Sequence, residues 1–413
     1  MNKYDNIILA NLMKRIRIEH NDSTTELSKK LHVTQQYISE MENGRKAINP
    51  AVFDDLLRTY NIKFDNTVDE RLISKLINEV AAAFIYDNSK LEKSLLSVIN
   101  KTDIKYSLYY PTYLLSEYLY QLMFNETIDN KLLLEQLEHL FDVYTATEKL
   151  LYYAVLINHK LSSNESDDQE IIKILNESNE VVTSTNNELQ YGLFATINYA
   201  FTCVYEIKGN IFNVIKCCET ASEYFKKALM NQGFIYSKIY YIGNLIALGN
   251  FKEAEEQIDL ISIISANLGL NKCLEAIQYQ KLLLSLLSNR QEEIENYLNI
   301  ANLDDLSINS KLILATYCLL NKRNMNAKTI LKYIKAEDLN SLNKSILDLV
   351  NDSIDDSDKL IGLTEIINND SCKLLIYEKI VYLKLIADYS YNSQKMNEYS
   401  EIINMINRYL ISY

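Results

Sequence analysis

The sequence contains very few residues that interrupt helices. Two prolines and eight glycines occur in 413 residues. Proline removes a backbone donor and glycine weakens a helix, so a chain poor in both is expected to be helical over most of its length. The hydrophobic content of 48% is ample for sizeable cores, and the length favours two or three domains. We therefore expect an all-α protein.

Long apolar runs are also missing. No stretch approaches about 18 uncharged apolar residues, so no transmembrane helix is expected. The N-terminal segment MNKYDNIILANLMKRIRIEH carries charge throughout and lacks the cleavage site of an export signal. These absences predict a cytoplasmic protein that does not bind a membrane.

Metal-binding and disulfide patterns are absent. The six cysteines contain no CxxC pair, and the four histidines are scattered without a ligand-like partner at helical spacing. The cysteines are Cys203, Cys217, Cys218, Cys273, Cys318 and Cys372. They fall inside apolar helical patterns, so we expect reduced, buried thiols, no metal site and no cofactor.

Catalytic motifs are equally absent. The sequence has no GxxxxGK[ST], GxGxxG, GxSxG or HExxH. Carboxylates are plentiful, but on helices a run of charges usually forms a solvated face. We therefore expect that the protein is not an enzyme.

The negative charge is distributed unevenly along the chain. The formal net charge is −13, yet residues 1–65 hold ten Lys/Arg against nine Asp/Glu and so carry +1, which leaves −14 for the remainder. A nearly neutral first segment attracts nucleic acid only through local basic side chains. Modest, salt-sensitive affinity is therefore expected for one copy.

The stretch 23–44, STTELSKKLHVTQQYISEMENG, has the signals of two short helices joined by a tight turn. Ser23 and Glu26 form a capping box that begins the first helix, and Thr34 can cap the second. Gly44 supplies a left-handed stop. The polar face left exposed on the second helix consists of Gln35, Gln36 and Ser39. This pattern predicts a helix-turn-helix whose second helix suits the major groove of DNA.

The flanking residues complete a small domain. Residues 4–20 are predicted to form a preceding helix, and a loop with Arg45 and Lys46 follows the helix-turn-helix. Pro50 then opens another helix. We predict a five-helix, lambda-repressor-like domain over residues 1–65.

The order of these elements resembles the Xre, or lambdoid-repressor, type of DNA-binding domain. TQQYISEMENG (34–44) is similar to the recognition helix of lambdoid phage repressors. The resemblance implies that Gln35 and Gln36 read base edges, since a Gln amide can pair bidentately with adenine. The residues that it implies for phosphate contacts are Thr34, Arg45 and Lys46.

Four further positions follow from the same resemblance. Arg17 and Glu42 occupy positions that in the family form a partly buried ion pair between the first and third helices. Two positions depart from the family pattern: a phosphate-binding Gln is Thr24 here, and a base-contacting position is the acidic Glu40. Glu40 either accepts a hydrogen bond from a cytosine amine or points away from the DNA.

Residues 66–110 are predicted to connect and dimerise the chain, and residues 111–190 to form helical hairpins. In the first segment Leu72, Leu76, Val80 and Ala83 recur at helical spacing. This stripe is either ordinary intramolecular core or the face of a helix that helps to form a dimer. In the second segment the polar stretch SSNESDDQE (162–170) is predicted to be a loop.

Residues 191–413 contain repeated helix pairs. The predicted corners are Gly209-Asn210, Gly249-Asn250, Asn289 and Asn324, spaced by 40, 39 and 35 residues. GNFKEAEEQ resembles part of a tetratricopeptide repeat, and the other pairs are degenerate versions of it. The pattern predicts a right-handed solenoid of stacked pairs, with a final pair, from about residue 377, that caps the stack.

The groove lined by the first helices of these pairs is predicted to bind an extended peptide. An Asn amide clamps a peptide backbone well because it offers both a donor and an acceptor, and a Lys can meet a peptide carboxylate. The candidate residues are Asn198, Tyr199, Tyr205, Tyr240, Asn244, Gln278 and Lys281. The alternative is that the tyrosines pack between helices and the amides are solvated.

An Xre-type head joined to degenerate tetratricopeptide repeats resembles the RRNPP family of peptide-sensing regulators, and the length is nearest to its longer, NprR/RstA-like members. The resemblance implies a cytoplasmic homodimer that binds a palindromic operator in double-stranded DNA. It also implies a short signalling peptide bound by the solenoid. The Asn-, Ile- and Lys-rich composition is typical of low-GC bacteria, so sporulation or toxin genes are the expected targets.

Two alternatives keep the same fold. Residues 66–190 could sequester a response regulator of the sporulation phosphorelay, as in some larger members of that family. A surviving phenotype after deletion of residues 1–65 would favour this interpretation. The other alternative is a phage-type lysogeny regulator with a related peptide receptor, which genomic context distinguishes.

Overall fold

The computed structural model of the chain describes residues 3–65, 67–86, 88–124, 131–163, 168–183, 187–299, 303–335, 339–369 and 374–411. The chain divides into two compact units, Met1–Ile197 and Asn198–Tyr413. The described residues form α-helices and short 3-10 turns and contain no β-strand, which confirms the predicted all-α class. No helix in this part of the chain is long and apolar enough to cross a membrane.

In the first unit the helices are α1 (Lys3–Glu19), α2 (Thr24–Lys30), α3 (Gln35–Glu42), α4 (Pro50–Thr59), α5 (Glu70–Tyr86), α6 (Leu91–Ile99), α7 (Thr102–Lys105), α8 (Tyr110–Phe124), α9 (Lys131–His139), α10 (Ala146–Ser163) and α11 (Asp168–Thr183). Helix α12 (Glu188–Lys208) contains the boundary between the units. The second unit continues with α13 (Ile211–Lys227), α14 (Asn231–Leu248), α15 (Phe251–Asn267), α16 (Asn271–Leu287), α17 (Gln291–Leu298), α18 (Ile308–Leu320), α19 (Asn324–Leu331), α20 (Ser341–Asp352), α21 (Leu363–Asn368), α22 (Ile376–Asn392) and α23 (Met396–Ile411).

The helix-turn-helix begins and ends at the residues that the sequence marks. Ser23 and Glu26 exchange both hydrogen bonds of the predicted capping box. The Thr34 side chain accepts from a backbone N–H in the first turn of α3. Gly44 follows that helix with a left-handed φ of 66°, and Pro50 is the first residue of α4. These local signals fix the ends of α3, the helix predicted to read DNA.

The predicted count of five helices within residues 1–65 is wrong for the described part, which contains four. The chain leaves α4 through Asn61, whose φ of 53° is left-handed. Asp69 then accepts a hydrogen bond from the backbone N–H of Arg71 at the start of α5. The fifth helix therefore begins at Glu70, beyond the predicted boundary.

The predicted apolar stripe on α5 is only partly correct. Leu76, Val80 and Ala83 are buried as predicted, but Leu72 is 37% exposed. Ile73 and Ile77 are buried instead. Helix α5 packs against both α6 and α10, so it buries two adjacent rows of side chains rather than one. The buried row belongs to the core of the first unit, and a role of this helix in dimer formation stays a prediction.

The hairpins predicted after residue 111 correspond to helices α8 to α11. The polar stretch 162–170 was predicted to be a loop. Helix α10 extends into it as far as Ser163, and α11 begins at Asp168. Its centre, 164–167, lies outside the described residues.

The helix pairs of the second unit are joined by corners with a fixed spacing. Left-handed residues occur every 20 positions, at Gly209, Leu229, Gly249, Gly269 and Asn289. After each one, the next backbone N–H bonds to a carbonyl five residues back, as from Asn250 to Leu245 at 2.9 Å. This bond is the mark of a Schellman motif, which ends a helix and turns the chain. The predicted corners near 209, 249 and 289 are confirmed.

The fourth corner lies two residues before the predicted one. Its left-handed residue is Lys322, with a φ of 59°, and the N–H of Arg323 bonds to Cys318 at 2.7 Å. Asn324 is the first residue of α19, where its side chain donates to the carbonyl of Ile354 at 2.7 Å. Asn324 therefore begins a helix and does not form the corner.

Helix α22, predicted to belong to a capping pair, occupies an inner position in the second unit. It packs on α14, α16 and α18, which are first helices of three successive pairs, and on its partner α23. Its buried residues are Ile376, Tyr377, Glu378, Ile380, Val381, Tyr382, Leu383, Leu385, Ile386, Ala387 and Ser390. A helix buried on nearly all sides is a core element. The first helices therefore have an intramolecular partner.

Candidate DNA-reading surface and candidate peptide groove

Helix α3 presents the predicted reading residues at the surface. Gln35 and Gln36 are exposed in its first turn, while Ser39 and Glu40 are half-buried one turn later. Ile38, on the opposite face, is fully buried and holds the helix on the core of the domain. The result is one polar face of short and medium side chains, which is the shape required to enter a major groove.

Each of the two glutamines already has a partner within the domain. The Gln35 amide nitrogen donates to the Thr24 hydroxyl at 3.1 Å. The Gln36 amide nitrogen donates to the Glu40 carboxylate at 2.8 Å. The two positions that depart from the family pattern, Thr24 and Glu40, are therefore the two that contact Gln35 and Gln36.

The loop after α3 brings the predicted basic residues beside this face. Arg45 and Lys46 are exposed, and their backbone N–H groups bond to the carbonyl of Glu40 at 2.9 and 3.1 Å. The Lys46 ammonium lies 4.3 Å from the centre of the Tyr37 ring, a cation–π contact that sequence reasoning missed. The structure thus gathers all eight predicted DNA-binding residues along α2, α3 and this loop: Thr24, Thr34, Gln35, Gln36, Ser39, Glu40, Arg45 and Lys46. Their contact with DNA stays a prediction.

The ion pair that the resemblance implies between α1 and α3 is present. Arg17 donates through two nitrogens to the Glu42 carboxylate at 2.7 and 2.8 Å, and through its third to the carbonyl of Asp22 at 2.9 Å. The two side chains are 13% and 4% exposed. The hydrogen bonds with Glu42 outweigh burial and raise the pKa of Arg17. This bidentate pair fixes α3 on α1.

A second charged cluster, which sequence reasoning missed, holds α1 on the helices that follow. Arg15 donates to Glu19 at 2.7 Å and to Glu117 at 3.0 Å, and Lys105 donates to Glu19 at 2.9 Å. Burial raises the pKa of Glu117 despite the nearby Arg15 charge. Because Arg15 and Glu117 are 102 residues apart, no local pattern could have revealed their contact.

The predicted peptide-binding residues occupy different environments. Asn198 and Asn244 are buried, Gln278 is exposed, and Tyr199, Tyr205, Tyr240 and Lys281 are half-buried. The Tyr199 ring meets the Tyr240 ring edge-on, with centroids 5.7 Å apart, a contact between α12 and α14. The Asn244 amide donates to the Glu206 carboxylate at 2.9 Å. The Tyr199–Tyr240 contact is packing between helices, and the Asn244–Glu206 contact is a buried hydrogen bond inside the second unit. Peptide binding by these residues stays a prediction.

Helix α22 is fixed on the first helices through polar groups at its N-terminus. The backbone N–H of Ile376 donates to Glu206 at 2.6 Å. The Tyr279 hydroxyl donates to Glu378 at 2.8 Å, and the amide of Gln280 donates to the Tyr377 hydroxyl at 3.3 Å. Carboxylates bound at the first turn also suit the positive end of the helix dipole.

The packing of α22 on α14 depends on one glycine. A Cβ atom built on Gly243 would lie 2.8 Å from carbons of the Tyr377 ring. Only glycine therefore allows the two helices to approach so closely. Farther along, the Lys384 ammonium donates to the carbonyl of Ala247 at 2.7 Å.

Two buried hydrogen-bond acceptors lie where α22 packs on α14 and α16. The amide oxygens of Asn244 and Gln280 are buried and have no hydrogen-bond partner among the described residues. Burial, together with the charge of Glu378, raises the pKa of Glu206 to about 7, although the amide of Asn244, the N–H of Ile376 and the charge of Lys379 oppose the shift. Burial also raises the pKa of Glu378. Below neutral pH the protonated form of the Glu206 carboxyl group is therefore favoured.

The stability of the second unit is expected to fall as the pH rises across the titration of Glu206. The pKa of Glu206 is raised from an ordinary 4.5 to about 7, so the native state retains a proton that the unfolded state has lost. Between these values unfolding releases that proton, and the free energy of unfolding decreases with pH. Hydrogen exchange of α14 and α22 at several pH values measures the effect. The Glu206→Gln variant should show a flatter dependence than the parent, and equal slopes would contradict the assignment.

Metal and thiol chemistry find no support in the described residues. No group of three His, Cys, Asp or Glu side chains in this part of the chain could hold a metal ion. Five cysteines are described and carry free thiols, and Cys372 lies outside the described residues. Burial raises the pKa of Cys217 to about 12, so its reactive thiolate is scarce.

The chain resembles known proteins in its first domain and, more distantly, over a larger part of its length. Residues 13–66 match the helix-turn-helix family HTH_3. No curated protein gives a significant match to the chain. Among solved structures it is similar to the apo form of ComR from S. thermophilus, at 15% identity and a TM-score of 0.41, over 67% of this chain and 99% of that one. The chain is also similar to ComR from S. thermophilus in complex with DNA and its signalling peptide ComS, at 14% identity and a TM-score of 0.38. This match again covers 67% of this chain and 99% of that one. The first domain is a helix-turn-helix domain of the Xre type.

Proposed function

We propose that this chain is a cytoplasmic, peptide-controlled transcription regulator of the RRNPP type that reads operator DNA through Gln35 and Gln36. The observation that carries the proposal is the polar face of α3, with both glutamines exposed inside a helix-turn-helix family match over residues 13–66. Genes of sporulation or toxin production are the proposed targets.

Binding as a homodimer follows from the weak charge of the first domain. Residues 1–65 carry a net charge of only +1. One copy therefore releases few counterions from DNA and gains little affinity from them. Two copies of α3 that reach adjacent major grooves, about 34 Å apart, would combine their contacts on a palindromic operator. Dimer formation thus supplies the affinity that one domain lacks.

Replacing Gln35 or Gln36 with alanine is expected to remove about 1–3 kcal/mol of sequence discrimination each. Each substitution deletes a base-reading amide and leaves the buried face of α3 intact. The measurement is the ratio of Kd values for a selected operator and a scrambled duplex at a fixed salt concentration.

The matched control is Gln291→Ala, which removes an exposed glutamine from α17 of the second unit, a helix without any predicted DNA- or peptide-binding residue. It should leave the ratio of Kd values unchanged. Two alanine variants of the reading residues that discriminate and footprint as the parent does would show that α3 does not read DNA.

The peptide is proposed to bind the face of the first helices that α22 covers. Three observations support this choice: the groups there include unpartnered amide oxygens of Asn244 and Gln280, a buried Glu206 with a raised pKa, and a helix end held by carboxylates. Buried polar groups of this kind cost stability, and a binding role explains their presence. A peptide that offers backbone N–H groups or an ammonium group would supply the missing donors. Its entry requires α22 to move.

A further inference from the structure

The two reading glutamines differ in how their amides are held. Glu40 is a carboxylate that only accepts hydrogen bonds, so the NH₂ end of the Gln36 amide must face it, as the 2.8 Å contact shows. Thr24 has a hydroxyl that both donates and accepts, so its contact with Gln35 allows either orientation of that amide. Only Gln36 is therefore fixed in one orientation.

The orientation of Gln36 determines which base edge it can pair with. Its amide has two N–H hydrogens, and one of them is directed to Glu40. One N–H and the carbonyl oxygen remain for DNA. Adenine presents one acceptor, N7, and one donor, N6, in the major groove, whereas guanine presents two acceptors, N7 and O6. The free groups of Gln36 match adenine, and guanine would require both hydrogens.

We infer that Glu40 is a positioning residue that restricts Gln36 to adenine and excludes guanine from that base position. If Gln36 gave both hydrogens to guanine, the Glu40 carboxylate would lose its donor inside a closed, poorly hydrated interface. An unpaired charge costs more there than it does in water. The inference rests on the proposed DNA-reading function and adds the base specificity of the same surface.

The position of Glu40 is itself supported by the backbone around it. Gln36 and Glu40 are four residues apart and therefore lie on one side of α3. The carbonyl of Glu40 accepts from the N–H groups of Arg45 and Lys46 at 2.9 and 3.1 Å. The loop thus holds the end of α3 at the residue that orients the reading amide.

The test is a selection of random-sequence duplexes by the full chain, followed by Kd measurements on pairs of duplexes. The base that loses its preference in Gln36→Ala identifies the position read by Gln36. Duplexes with A·T or G·C at that position are then compared for the parent, Glu40→Ala and Glu40→Gln. The parent should prefer adenine by about tenfold, and both variants should reduce this preference to about threefold or less.

Asp54→Ala is the matched control, because it removes an exposed carboxylate from α4 of the same domain and leaves Gln36 held by Glu40. The base preference of this variant at the Gln36 position should equal that of the parent. A role of Glu40 in folding alone would change all affinities by the same factor and leave the base preference unchanged. An unchanged adenine preference in Glu40→Ala, or a parent that selects guanine, would overturn the inference. If the parent protein enriches no sequence from the random duplexes, the proposed DNA-reading function itself is refuted.

Discussion

Replacing Arg17 with alanine is expected to abolish sequence-specific DNA binding and to destabilise the first domain by about 3–5 kcal/mol. The substitution leaves the Glu42 side chain, which is 4% exposed, without its bidentate partner. An unpaired buried carboxylate costs far more than the net gain of the original pair. Helix α3 then loses its fixed position on α1, and the reading glutamines lose their geometry with it.

Hydrogen exchange of the amides in α2 to α4 measures this local stability, since a chain of two units need not unfold in one step. Arg58→Ala is the matched control, because its contact with Asp55 at 3.6 Å joins side chains that are 81% and 57% exposed. That variant should change the free energy of opening by less than about 1 kcal/mol. Replacing both Arg17 and Glu42 with methionine should recover much of the loss. Equal protection in Arg17→Ala and Arg58→Ala would contradict the role given to this pair.

Replacing Gly243 with valine is expected to displace α22 and to lower the free energy of unfolding of the second unit by about 3 kcal/mol. This value lies in the upper part of the range for overpacked cores. Even the Cβ atom would lie 2.8 Å from the Tyr377 ring. That ring is 4% exposed and its hydroxyl accepts from Gln280, so it has little room to shift. Hydrogen exchange of α22 and α23 should accelerate more than that of α19.

The Tyr377→Ala variant provides the matched background for this prediction. Without the Tyr377 ring, the side chain introduced by Gly243→Val has no neighbour to clash with. The destabilisation caused by Gly243→Val should therefore fall by about 2 kcal/mol. An unchanged cost in that background would show that the damage arises within α14 and not from contact with α22. If a peptide also competes with α22, the Gly243→Val variant should bind it more tightly than the parent does.

Most of the first domain could be predicted because its signals are local. The capping box of Ser23 and Glu26, the cap at Thr34 and the stop at Gly44 each involve residues within a few positions of one another. The corners every 20 residues in the second unit are local for the same reason. The wrong corner is local as well: the sequence predicts it at Asn324, whereas the residue with the left-handed φ is Lys322.

The candidate peptide groove could not be predicted in the same way, because its occupant comes from a distant part of the chain. Ile376 donates to Glu206 across 170 residues, and Gly243 gives no sign in the sequence that Tyr377 lies against it. The sequence predicts a peptide-binding face on the first helices, which stays a prediction, and it gives no sign that α22 of the same chain covers this face. Asn244 is therefore buried against Glu206 in the structure.

The most direct test of the account measures DNA affinity and peptide affinity in one system. Fluorescence anisotropy of a labelled, selected duplex is titrated with the full chain, with and without each short synthetic peptide encoded by the reading frame beside the gene. One peptide should change the Kd for DNA by about tenfold, and by reciprocity DNA should change the affinity for that peptide by the same factor. Peptides that leave the Kd for DNA unchanged, or that bind equally with and without DNA, would contradict the account.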